Sequence, residues 1–123
     1  MIKPKDWRII FKNAVNGCLY ALRTQRNYRV HLSVSVLVIL LAFWLQVTRL
    51  EWFFLLLAIF LGLTLEMVNT AFEKTIDLIT QDYNEKAKIV KDLSAGMMLL
   101  LSLGLAILGL SILLPPLIQK LGL

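Results

Sequence analysis

The chain has a single cysteine, Cys18, and a single histidine, His31. An intrachain disulfide and a cysteine metal cluster are therefore excluded, and His31 has no second histidine or cysteine with which to build a zinc site. Cys18 reads as a small apolar residue on a helix face, and His31 as an interfacial structural residue. No G-x-x-x-x-G-K-[ST] or G-x-G-x-x-G loop occurs, so the soluble nucleotide-binding folds built on such loops are excluded. Any phosphate group must instead be held by side chains and metal. Repeats, linkers and low-complexity segments are also lacking. Charged residues are scarce, 17% against 59% hydrophobic, and mean hydropathy is +0.75. That is too apolar for a soluble domain, and 123 residues suffice for one domain only, 1–123. An all-α integral membrane protein is expected.

What is present is organised as one amphipathic segment and three hydrophobic runs. Residues 4–24 place Trp7, Ile10, Phe11, Ala14, Val15, Cys18, Leu19 and Leu22 three and four apart, which is helical periodicity. This predicts a helix lying on the membrane surface. Spans are expected over about 30–47, 51–80 and 85–114. The first apolar run follows a long basic segment, unlike a cleaved leader, and is expected to stay in the membrane. Thr48 to Glu51 is short enough to force a hairpin. Tyr83-Asn84 turns the chain, and Pro115-Pro116 is expected to stop the last helix. Small residues on the third span, among them Ser94, Gly96, Gly104 and Gly109, permit close helix contact. Trp7, Tyr28, Trp44 and Trp52 are read as interfacial anchors.

The positive charge is unevenly placed. Lys3, Lys5, Arg8, Lys12, Arg23, Arg26 and Arg29 precede the first span, and Lys74, Lys86, Lys88 and Lys91 surround the second connection. Only Arg49 and Lys120 fall on the other side. This asymmetry predicts a cytoplasmic N-terminus and a multi-pass protein of a bacterial-type inner membrane. Arg23, Arg26 and Arg29 suit anionic headgroups. Nucleic acid is not expected as a partner, since no soluble basic module is left to bind it.

The second run ends in a polar row: Glu66, Asn69, Glu73, Asp77. Trp52 to Leu65 gives roughly 21 Å of helix before Glu66, against a hydrocarbon core of ~30 Å. Glu66 therefore falls within the membrane, where a carboxylate is costly and usually functional. At about 100° per residue the four side chains share an arc of roughly 80°, with Thr70 beside them. Polar contacts between helices of an oligomer would account for such a row only if a cation relieved the repulsion of its carboxylates. Asp77 is open to pairing with a lysine of the loop, and Asp92 to pairing with Lys88 four residues before it. Carboxylates with an amide and a lysine are the equipment of metal-dependent phosphoryl transfer.

The segment Glu66-Met-Val-Asn-Thr-Ala-Phe-Glu-Lys-Thr-Ile-Asp77 resembles the E-x-x-N-[ST]-A-x-E-x-x-x-D signature of the small prokaryotic membrane kinases that phosphorylate diacylglycerol or undecaprenol. Lys91-Asp92-Leu-Ser-Ala-Gly96 is similar to their K-D-x-[GSA]-[SA]-[AG] run. Asn16-Gly17 and Gln25-Arg26-Asn27-Tyr-Arg-Val-His31 resemble their N-terminal pattern. The resemblance implies an ATP-dependent, Mg²⁺-assisted lipid kinase with composite sites in a homotrimer. It implies Glu66 as general base for the lipid hydroxyl, Asn69 as its polar positioner and Glu73 as a Mg²⁺ ligand. It further implies nucleotide contacts at Asp82, Tyr83, Asn84, Lys91 and Asp92. Gln25 stands where the pattern has a metal-binding Glu, so this position offers a neutral oxygen in place of an anion. Residues 26–31 look more like the undecaprenol branch than the diacylglycerol branch. Two other functions are compatible with the row alone: an ion or proton carrier using the intramembrane carboxylates, and a non-enzymatic assembly subunit.

Overall fold

The structure, a computed structural model, describes residues 6–123. Lys3, Lys5 and the expected start of the surface helix at residue 4 lie outside the described residues. Four helices follow in order: α1 (Trp7–Thr24), α2 (Arg26–Leu45), α3 (Arg49–Ile79) and α4 (Glu85–Lys120). The last three are long and apolar enough to cross a membrane.

Helix α1 opens at Asp6, whose carboxylate accepts from the Arg8 backbone N–H at 3.0 Å. Trp7, Phe11 and Val15 stay exposed on its apolar face, and only Ala21 is buried. A face of that kind is suited to acyl chains. Gln25 alone separates α1 from α2, in extended conformation. Arg29 closes the joint: its Nη1 donates to the carbonyls of Leu22 (3.2 Å) and Arg23 (2.9 Å). A cation on the last carbonyls of a helix satisfies orphan acceptors and complements the dipole. Arg29, expected to face lipid headgroups, thus acts as a helix cap.

The α2–α3 hairpin turns on Gln46, which has a left-handed backbone (φ 53°, ψ 49°). Thr48 and Glu51 then form a reciprocal capping box at 3.2 and 3.1 Å. Beside this hairpin Ala42, Leu45, Leu55, Ile112 and Leu113 make the buried apolar cluster of the bundle. Helix α2 has 20 residues and α3 has 31, so at ~1.5 Å per residue α3 is about 16 Å the longer. Since the hairpin brings the two level at one end, the excess lies entirely at the other.

The expected end of the third span at residue 114 is corrected. Helix α4 runs through Pro115 and Pro116 to Lys120. Prolines remove two N–H donors, yet their fixed φ suits a helix, and contacts beyond them hold the last turns. Leu117 packs on the apolar cluster. Lys120 Nζ donates to the Trp44 carbonyl at 2.8 Å and lies 4.8 Å from the centre of its ring. The helix of the first span also starts earlier than residue 30, because Arg26 to Arg29 already form its first turn.

Candidate functional site

The end of the bundle away from the apolar cluster is polar. Glu66, Asn69, Thr70 and Ser94 are buried there between α3 and α4. The Ser94 hydroxyl donates to Asn69 Oδ1 at 2.5 Å, and Asn69 Nδ2 donates to Glu73 Oε1 at 3.4 Å. A carboxylate can only accept, so Glu73 fixes which edge of the Asn69 amide faces it. Ser94 holds the other edge. Thr70 returns its hydroxyl to the Glu66 backbone carbonyl at 3.1 Å. Glu73 and Asp77 continue the row towards the α3–α4 loop and are exposed.

Glu66 is treated differently by the fold. It is only 5% exposed, yet among the described residues no donor reaches its carboxylate. No side-chain oxygen there is both fully enclosed and unpaired, so the carboxylate opens into free space. That space is a groove of about 810 Å³ between α2, α3 and α4. Asn27, His31, Ser35 and Glu66 give it polar character near one end, while Val34 and Val38 are among its apolar walls. An acid group with a free acceptor, at the end of an apolar channel, can take a proton from an alcohol that arrives along the channel.

The remaining expected residues lie further along. Lys91 Nζ pairs with Asp77 Oδ1 at 2.8 Å and ties α4 to α3, while Lys88 pairs with Asp92 at 2.6 Å along α4. Asn84 caps α4 by accepting from the Ala87 N–H at 3.1 Å. The Asp82 N–H donates to Thr80 Oγ1 at 3.2 Å, and Tyr83 is exposed. Gln25 does not belong to that stretch: it sits at the α1–α2 joint, where its side-chain amide donates to Thr24 Oγ1 at 3.1 Å.

Mg²⁺ uses few protein carboxylates and completes its oxygen shell from phosphates and water. The donor set fits that requirement. Glu73 is exposed, and only one of its oxygens is engaged by a protein donor. Among the described residues of one chain, no three His, Cys, Asp or Glu side chains gather as a closed metal site.

Sequence reasoning named Ser94 only as a small residue for close helix contact. Its hydrogen bond depends on α4 returning beside α3, which spacing along either helix does not reveal. Ser94→Ala is expected to leave Asn69 Oδ1 one partner short, costing about 1 kcal/mol. Denaturant unfolding in detergent micelles should show that loss, and Ser94→Thr should recover part of it.

The fold and site together define a helical membrane protein with a carboxylate–amide row leading out of an apolar groove. Residues 12–113 match the family described as prokaryotic diacylglycerol kinase, and the chain belongs to that family. The chain is 41% identical over 112 residues to a diacylglycerol kinase of Synechocystis sp., covering 90% of this chain and 64% of that protein. It is 36% identical over 107 residues to the undecaprenol kinase of Bacillus subtilis, covering 87% of each. A diacylglycerol kinase of Helicobacter pylori is 28% identical over 101 residues, 80% of this chain and 79% of that one.

Proposed function

We propose that this protein transfers the γ-phosphoryl group of ATP to the hydroxyl of a membrane lipid, undecaprenol or diacylglycerol. The observation that carries this reading is Glu66, buried but unengaged at the polar end of an apolar groove. Membership of a lipid kinase family supports it, as do relatives named for both lipids. The proposed setting is the cytoplasmic face of a bacterial-type inner membrane, with the N-terminus cytoplasmic.

The lipid hydroxyl enters the groove sideways and passes its proton to Glu66. Its oxygen bonds to the γ-phosphorus as the bond to the bridging oxygen breaks, and ADP leaves. Asn69, held between Ser94 and Glu73, keeps the polar row aligned beside the reacting oxygen. Bound Mg²⁺ would neutralise charge on the phosphates, and Glu73 would hold it, with Gln25 adding a neutral oxygen. Lys91 stands at the same end, beside Asp77, and contributes positive charge towards the nucleotide; Asp82, Tyr83, Asn84 and Asp92 complete that side. A homotrimer with composite sites is part of the proposal. Support for it comes from the open side of Glu73 and from Gly96 and Gly104, whose α-carbons face empty space on α4. The single membrane kinase domain would then span 1–123.

Initial rates on a polyprenol and on a diacylglycerol, in matched mixed micelles with Mg·ATP, test the reading. Phosphorylation of at least one lipid is expected, with the polyprenol the faster; a folded protein inert towards both would refute it. Gln25→Glu is expected to lower the ATP KM and the Mg²⁺ requirement, because an anion replaces a neutral ligand. Unchanged values in a magnesium titration would mean that position 25 does not limit metal binding.

A further inference from the structure

His31, read from sequence as structural, is placed by α2 against the one glycine of α3 that has no room for a side chain. Gly62 is buried. A Cβ built on it would collide with His31 Nε2 and lie 2.6 Å from Cε1 and 3.0 Å from Leu105 Cδ1. The imidazole therefore occupies the space that a side chain at position 62 would fill.

Glu66 lies one turn further along α3. Side chains four apart in a helix share a face, with about 5–6 Å between their β-carbons. Helical side chains also lean towards the N-terminus, over the preceding turn. Glu66 thus leans towards the turn on which the His31 ring rests. Both residues line the same groove. Among the described residues no protein group hydrogen-bonds a ring nitrogen; the side-chain hydrogen bond made to His31 is that of the Ser35 hydroxyl with its backbone carbonyl, at 2.8 Å. No enclosed side-chain nitrogen is left unpaired, so the ring nitrogens, like the Glu66 carboxylate, reach open space.

We infer that His31 is a lipid-hydroxyl-binding residue, donating a ring N–H to the oxygen whose proton Glu66 accepts. A neutral imidazole has one donor, and an alcohol has one donor and two lone pairs. Held between the two side chains, the alcohol gives its proton to Glu66 and one lone pair to His31. Its second lone pair is left for the phosphorus. Gly62 is the residue that permits this, since any side chain there would displace the ring. The shared ligand chemistry is a hydroxyl at the end of a long apolar chain, whichever lipid supplies it. The inference rests on the proposed lipid kinase reading, but its test can be read from binding without turnover.

The experiment compares each lipid with its deoxy analogue, which lacks only the hydroxyl. Two arms are run in micelles, a polyprenol with its terminal hydrocarbon and dioleoylglycerol with its deoxy counterpart. Binding is measured for the wild type, His31→Ala and His31→Gln. The wild type should prefer the hydroxyl form about tenfold in at least one arm, the size expected for one or two buried hydrogen bonds. In His31→Ala that preference should fall several-fold while affinity for the deoxy form holds, and His31→Gln, which keeps an N–H donor, should restore part of it. The lipid KM should rise in His31→Ala with the ATP KM unchanged. An undiminished hydroxyl preference in His31→Ala, or equal losses for both forms, would overturn the inference and leave His31 as packing. A wild type that prefers the hydroxyl form but does not phosphorylate it would instead refute the kinase reading alone.

Discussion

Glu66→Gln is expected to lower phosphotransfer by about 10²–10⁴-fold, the usual contribution of a positioned general base. The substitution keeps shape and length. It breaks no side-chain hydrogen bond, because Thr70 addresses the backbone carbonyl of residue 66 and not its carboxylate. It also removes a group whose charge is costly in a buried position among apolar walls. Stability should therefore be unchanged or higher while activity collapses. That pairing separates the catalytic reading from the assembly reading, in which Glu66 joins helices of neighbouring copies. If the variant dissociated in detergent in step with its loss of activity, the base assignment would be wrong. Activity close to that of the wild type in an intact oligomer would be equally damaging.

Gly62→Val should have the second largest effect, and by the opposite route. Its Cβ alone would strike the His31 ring, and the γ-carbons would press further between α2 and α3. Overpacking of this kind costs typically 1–3 kcal/mol and shifts backbone. Here the shift would fall at the crossing that sets the groove beside Glu66. We expect a clear loss of stability in denaturant unfolding, together with loss of most lipid phosphorylation. Gly62→Ala should behave in the same way but less severely. Wild-type stability in the valine variant would mean that α2 and α3 do not approach as closely as the ring contact requires.

Much of this architecture is legible in the sequence, for identifiable reasons. Long apolar runs and the periodicity of residues 7–22 report the solvent that surrounds each helix, and the four helices follow from them. The polar row is legible because 3.6-residue spacing places Glu66, Asn69, Glu73 and Asp77 on one face without knowledge of any neighbour. The pairing of Asp92 with Lys88 is legible on the same ground. What escaped depends on helices meeting. Ser94 reaches Asn69 across 25 positions, Arg29 caps a helix other than its own, and His31 finds Gly62 only after the hairpin has formed. The Pro115-Pro116 stop failed because local propensity was outweighed by Leu117 and Lys120 docking further on. The resemblance supplied what spacing could not, a reaction class for the row.

The unequal lengths of α2 and α3 divide the labour between two solvents. Counted from the hairpin, α2 runs out level with residues 68–69 of its neighbour, so α3 forms a jetty of about 16 Å past the last turn of α2. Asn69 stands at its root, and Glu73 and Asp77, both exposed, stand along it. In the proposed reaction, a water-soluble reactant moors there without shedding its hydration to oil, and an oily alcohol has to rise only as far as the root to meet it.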